Sequence, residues 1–134
     1  MANEYLTITL TGKPPVKIKK DDWEILAQAS ENDRHGAQIG NQPNRETDWN
    51  IKVRQHADGR AIVYATYSYD TAFQGESGLG LRGGELLDAG ADIPAAIERV
   101  ADIIAARLPD GDRDAGVFAR LAQECIADLP AVEI

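Results

Sequence analysis

The sequence predicts an α+β layer fold: a small antiparallel sheet of about four strands, centred on a hairpin at residues 48–70 and packed by two to three helices. Three observations predict it. Short segments alternate apolar and polar residues with period two, as half-buried strands do. Two C-terminal segments carry apolar stripes at helical spacing. The 134 residues, 43% hydrophobic and 27% charged, suffice for one core and predict a single globular domain over residues 1–134.

In chain order, Tyr5 to Thr11 places Leu6, Ile8 and Leu10 on one face and threonines on the other, which predicts a first strand. Gly12-Lys13-Pro14-Pro15 has turn chemistry, because two prolines cannot donate to a ladder. Val16 and Ile18 alternate with Lys17 and Lys19 in a short second strand whose lysines blunt an exposed edge. Asp21-Asp22-Trp23-Glu24 has the spacing of a capping box and predicts a helix from Asp22 to Ser30. Residues 31–47 are polar, contain Gly36, Gly40 and Pro43, and predict the longest loop.

Trp49, Ile51 and Val53 alternate with Asn50, Lys52 and Arg54, and a second alternating run covers Arg60 to Asp70. A three-residue turn at Ala57-Asp58-Gly59, with Gly59 left-handed, sets Trp49 opposite Tyr67, Ile51 opposite Ala65 and Val53 opposite Val63. A two-residue turn would instead set Tyr64 opposite Val53 and scatter the apolar residues. This hairpin is expected to pair with the Tyr5–Thr11 strand. Phe73 to Gly84 is glycine-rich and reads as irregular. Asp92 caps a helix with Pro94 in its first turn and a stripe of Ile93, Ile97, Val100, Ile104 and Leu108. A last helix from Ala115 to Asp128 buries Phe118, Leu121, Ala122, Cys125 and Leu129 and stops at Pro130.

The net charge is −8, unevenly placed. Residues 1–20 carry four lysines and one acid, whereas residues 85–134 carry eleven acids and four arginines. Such a chain repels phosphate backbones and anionic lipids at a distance, which disfavours direct nucleic-acid binding. A basic patch around Lys13, Lys17, Lys19 and Lys20 still allows local attraction. No apolar run approaches the ~18 residues of a membrane span, and Met1-Ala2-Asn3-Glu4 lacks a basic, apolar leader. A single cysteine excludes a disulfide framework and a cysteine-based zinc site. Together these predict a cytoplasmic protein without a membrane partner.

Several motifs fail on inspection. Asp110-Gly111-Asp112-Arg113-Asp114 matches alternate ligand positions of a calcium loop, but Ala115 replaces the turn glycine and Leu121 the bidentate glutamate. It reads better as a solvated connector with Asp114 capping the last helix. Gly78-Leu79-Gly80-Leu81-Arg82-Gly83 spells a dinucleotide fingerprint without a helix opening at it. His35 and His56 have no second ligand at metal spacing, and Gly75-Glu76-Ser77-Gly78 is no nucleophile elbow. Cys125 falls on an apolar stripe and reads as a core thiol. No catalytic group, cofactor or metal is expected. Trp49, Arg54, Tyr64, Tyr67, Tyr69 and Phe73 concentrate hot-spot residue types on one hairpin and its exit, part core and part candidate partner surface.

Ile8-Thr9-Leu10-Thr11-Gly12, Pro14-Pro15-Val16, Asp21-Asp22-Trp23, the run Val53 to Arg60, Gln74-Gly75-Glu76 and the run Glu124 to Pro130 resemble small uncharacterised proteins of Mu-like bacteriophages and prophages. The resemblance spans most of the chain and carries no assigned catalytic residue. It implies an accessory protein that binds host machinery in a bacterial cytoplasm, anti-CRISPR proteins being one such class. The expected function is therefore non-enzymatic inhibition of a host protein or nucleoprotein complex. A virion assembly factor, or a small enzyme using loop carboxylates, is the alternative. Two surfaces compete for the contact. One is acidic and draws on Glu98, Asp102, Asp110, Asp112 and Asp114; the other is the hairpin face with Arg54 and Tyr67.

Overall fold

A computed structural model describes residues 4–39, 42–71, 79–108 and 111–130. Among them run strands β1 (Tyr5–Leu10), β2 (Lys13–Lys19), β3 (Trp23–Ile39), β4 (Gln42–His56), β5 (Ala61–Thr71) and β6 (Leu79–Leu87). Helices α1 (Ile93–Ala105) and α2 (Gly111–Asp128) follow. Strands β3-β4-β5-β6 form an antiparallel meander, and β1-β2 form a separate two-stranded sheet. The fold is α+β, with two helices in the described residues.

The central hairpin has the expected register: Trp49 opposes Tyr67, Ile51 opposes Ala65, and Val53 opposes Val63. His56 N–H donates to the Arg60 carbonyl at 2.9 Å, closing three residues, and Gly59 takes φ +98°. A left-handed residue at that position is what a three-residue hairpin turn needs. Trp49, Ile51 and Val53 of β4 and Ala61, Val63, Ala65 and Tyr67 of β5 face the helices and are buried against Ile97, Val100, Ile104, Phe118, Leu121 and Cys125. Asp92 caps α1 as expected, its Oδ1 accepting from Ala95 N–H at 3.1 Å.

Four expectations need correction. Residues 23–30 are strand, not helix, and the capping-box sequence instead spans a 3-10 turn at Lys20–Asp22 and the start of β3. The cause is a bulge between Ile25 and Ala27. Before it, Trp23 pairs with His56 and is buried with the β1-β2 layer; after it, Ala27 pairs with Val53 and faces the helices. A bulge inserts one residue and so switches the buried face, which turns a period-two pattern into one that imitates a helix. Residues 31–47 are also no loop, since β3 and β4 pair from Glu31↔Trp49 out to Ile39↔Gln42. Residues 79–84 belong to β6, paired with β5 from Tyr69↔Leu79 to Tyr64↔Gly84; residues 72–78 lie outside the described residues.

Finally, β1 does not join the central hairpin. It pairs with β2 through a turn at Thr11-Gly12, with Gly12 at φ +69°, while Pro14 and Pro15 lie within β2. Prolines suit β2 because its outer edge has no strand to serve. The β1-β2 layer lies across the face of the meander away from the helices. There Ile8, Leu10, Ile18, Trp23 and Ile62 form a second core. Thr11 N–H donates to the Gly84 carbonyl at 2.9 Å, and Gly84 N–H donates to Thr11 Oγ1 at 3.2 Å, tying that layer to β6.

Candidate functional site: an acidic helical layer and a cationic groove

The helices present the acidic surface. Glu98 and Asp102 stand one turn apart on the exposed side of α1, and Glu124 and Asp128 are exposed on α2. Gln123 of α2 donates to Glu98 Oε1 at 3.2 Å, linking the two helices across this face. Two of the arginines here are already engaged. Arg99 forms a fork with Glu85, the closest contact 2.8 Å, and Arg120 pairs with Glu31 and with Glu124. The Glu85 carboxylate holds the Arg99 guanidinium above its ordinary range. Asp128 Oδ2 accepts from Gln28 N–H at 3.0 Å, a contact that holds the end of α2 against β3.

The acidic stretch before α2 is not the connector expected from sequence. Gly111–Asp114 already lie in the helix, so Asp112 and Asp114 occupy its first turn and Asp114 is not its N-cap. Acidic residue types suit that turn, where the helix end carries partial positive charge. Asp110 lies outside the described residues. Among those described, no group of three or more metal-ligating side chains comes together.

The aromatic hairpin surface divides in two. Tyr67 is 1% exposed, with its ring centroid 6.0 Å from Trp49 and 6.2 Å from Phe118. It is a core residue with no surface to offer, a consequence of sharing the helix-facing parity of Trp49, Ile51 and Val53. Arg54 points to the opposite face. It is 9% exposed; its Nε donates to Tyr64 Oη at 3.0 Å and its Nη1 to the Trp23 carbonyl at 3.0 Å. Arg54 and Tyr67 therefore cannot act on one partner together. Phe73 lies outside the described residues.

What the face of Arg54 does form is a groove of about 230 Å³ beside the β1-β2 layer. Asn50, Lys52 and Arg54 alternate along β4, Tyr64 and Thr66 along β5, and Lys20 and Leu6 close it from the 3-10 turn and β1. Asn50 opposes Thr66 and Lys52 opposes Tyr64 in the ladder, so these polar side chains sit side by side. Among the described residues, no acid lines the groove. The alternation of Asn50, Lys52 and Arg54 is visible in the sequence, whereas only the tertiary fold brings Lys20 beside it.

Other singled-out residues have structural places. The His56 ring packs tilted against Trp23 with centroids 5.2 Å apart, and its Nδ1 accepts from Asp58 N–H at 3.1 Å. His35 lies in β3 opposite Arg45. Cys125 is fully buried, and burial, with Asp128 adding, pushes its thiol up to about 11. Leu79–Gly83 of the glycine fingerprint run within β6 rather than into a helix. Among the described residues, no helix is long and apolar enough to cross a membrane. No protein-family model matches the chain, nor does any curated protein or solved structure.

Proposed function

We infer that this chain is a non-enzymatic accessory protein of the phage type, which binds a host nucleoprotein complex in the bacterial cytoplasm and inhibits it through its acidic helical layer. One observation carries the reading. Glu98, Asp102 and Asp128 are exposed on the helices, while Arg99 and Arg120 are tied up in ion pairs with Glu85, Glu31 and Glu124. The surplus negative charge faces outward from one side of the sheet. Like charges held together repel, and a basic nucleic-acid channel relieves that repulsion while steering the encounter.

The test is competition for a purified CRISPR effector complex against its target DNA. Wild-type protein is expected to displace DNA in a dose-dependent way that weakens with salt. Reversal of both Glu98 and Asp102 to lysine should slow association by on the order of tenfold or more and flatten the salt dependence. Absence of displacement, or a double reversal as potent as wild type, overturns the reading.

A further inference from the structure

We propose that the groove between β4-β5 and the β1-β2 layer is a binding site for a small phosphate-bearing ligand. A buried charge is costly unless it is paired, and a guanidinium is ordinarily paired with a carboxylate or phosphate. Arg54 is 9% exposed, yet its partners are the neutral Tyr64 hydroxyl and the Trp23 carbonyl, and among the described residues no carboxylate pairs with it. Lys52 and Lys20 line the same groove and, among the described residues, also lack an ion pair.

Three cations thus converge in a protein of net charge −8, in a groove that no acid lines among the described residues. Asn50, Tyr64 and Thr66 add an amide and two hydroxyls, neutral donors for the remaining oxygens of a phosphate. The volume of about 230 Å³ suits a phosphate group and a small attached body rather than a polymer. The site is on the face opposite the helices, so the proposal stands independently of the acidic-surface reading.

Inorganic phosphate and adenosine monophosphate are the probes, titrated into isotopically labelled protein at constant ionic strength made up with chloride. The expected result is saturable shifts of the amides of residues 50, 52, 54, 64 and 66. Lys52→Glu should weaken binding at least tenfold, whereas Lys17→Glu, the same charge change on exposed β2, should alter it less than twofold. Should Lys52→Glu fail to fold, Lys20→Ala serves in its place with the same expectation. Tighter binding of the monophosphate assigns a nucleotide-like ligand, and equal binding assigns free phosphate; both support the site. Non-saturating shifts, equal losses in the Lys52 and Lys17 variants, or binding only of a single-stranded oligonucleotide overturn it.

Discussion

Trp49→Ala tests the central packing most directly. Trp49 is 1% exposed, opposed by Glu31 on β3 and Tyr67 on β5, and lies in the core that the helices close. Burying an aromatic of about 200 Å² at about 25 cal/mol per Å² is worth roughly 5 kcal/mol, of which alanine keeps a small part. The indole Nε1 is buried without a hydrogen-bond partner among the described residues, so its removal returns about 1 kcal/mol. The net loss is about 3–5 kcal/mol, the range seen when large core aromatics are truncated. Urea unfolding followed by far-ultraviolet circular dichroism measures it, with Trp23 left as a second probe. At a slope near 2 kcal/mol per molar, the midpoint should fall by about 2 M. Trp49→Phe keeps a ring and discards the unpartnered N–H, so it should lose less than half as much. An alanine variant that unfolds at the wild-type midpoint would refute both the register and the burial.

Gly84→Ala should detach the β1-β2 layer, because a β-carbon there would lie 2.7 Å from the Thr9 carbonyl and 3.0 Å from that of Val63. The cost is about 1–3 kcal/mol, read as lost hydrogen-exchange protection in β1 and β2, and Gly80→Ala, with open space around it, should be near neutral. Cys125 should react with a disulfide reagent orders of magnitude more slowly in the native protein than in urea, its thiol being buried and raised to about 11. Asp58 is held below the ordinary carboxylate range, first by the Arg60 backbone N–H and then by the Arg60 side chain, with desolvation opposing. Its depressed value makes the contribution present above the unfolded pKa and lost as pH falls through the folded one. The Tm difference between wild type and Asp58→Asn should therefore shrink between about pH 5 and pH 2, and a pH-independent difference would refute it.

The hairpin was legible because both strands keep strict alternation and Gly59 marks the turn. The helices were legible because Asp92 and the isoleucine stripe of α1 state their own period. Two strands were hidden for different reasons. In β3 the bulge moves burial from the Trp23 face to the Ala27 face, so no single period describes the segment. In β6, Gly83 and Gly84 leave no alternation to read. They are glycines because Ile104 and Thr11 close on the first and the Thr9 backbone on the second. Tyr67 shows a different failure. The register that placed it opposite Trp49 already consigned it to the core, and its residue type suggested an interface all the same. The groove needed a tertiary fact, since Leu6 and Lys20 reach Lys52 and Arg54 only when β1-β2 folds over the meander.

The meander divides the charge of the molecule. All five lysines lie in β1-β2, the 3-10 turn or β4, and neither helix contains one. The acids that pair with Arg99 and Arg120 lie on strands or helices of the helical side, so the lysine side is not neutralised by them. Layers stacked face to face stand about 10 Å apart, and the Debye length at physiological salt is about 8 Å. Outward-facing charges on opposite sides of the sheet are separated by more than that length and are largely screened from each other. Such a division would let an acidic face and the proposed anion-binding groove operate in one small chain without cancelling. It also keeps their tests separate: a charge reversal on α1 leaves the field in the groove nearly unchanged, and Lys52→Glu leaves the helical face as acidic as before. Loss of both bindings from either substitution alone would point to a disturbed fold rather than to either surface.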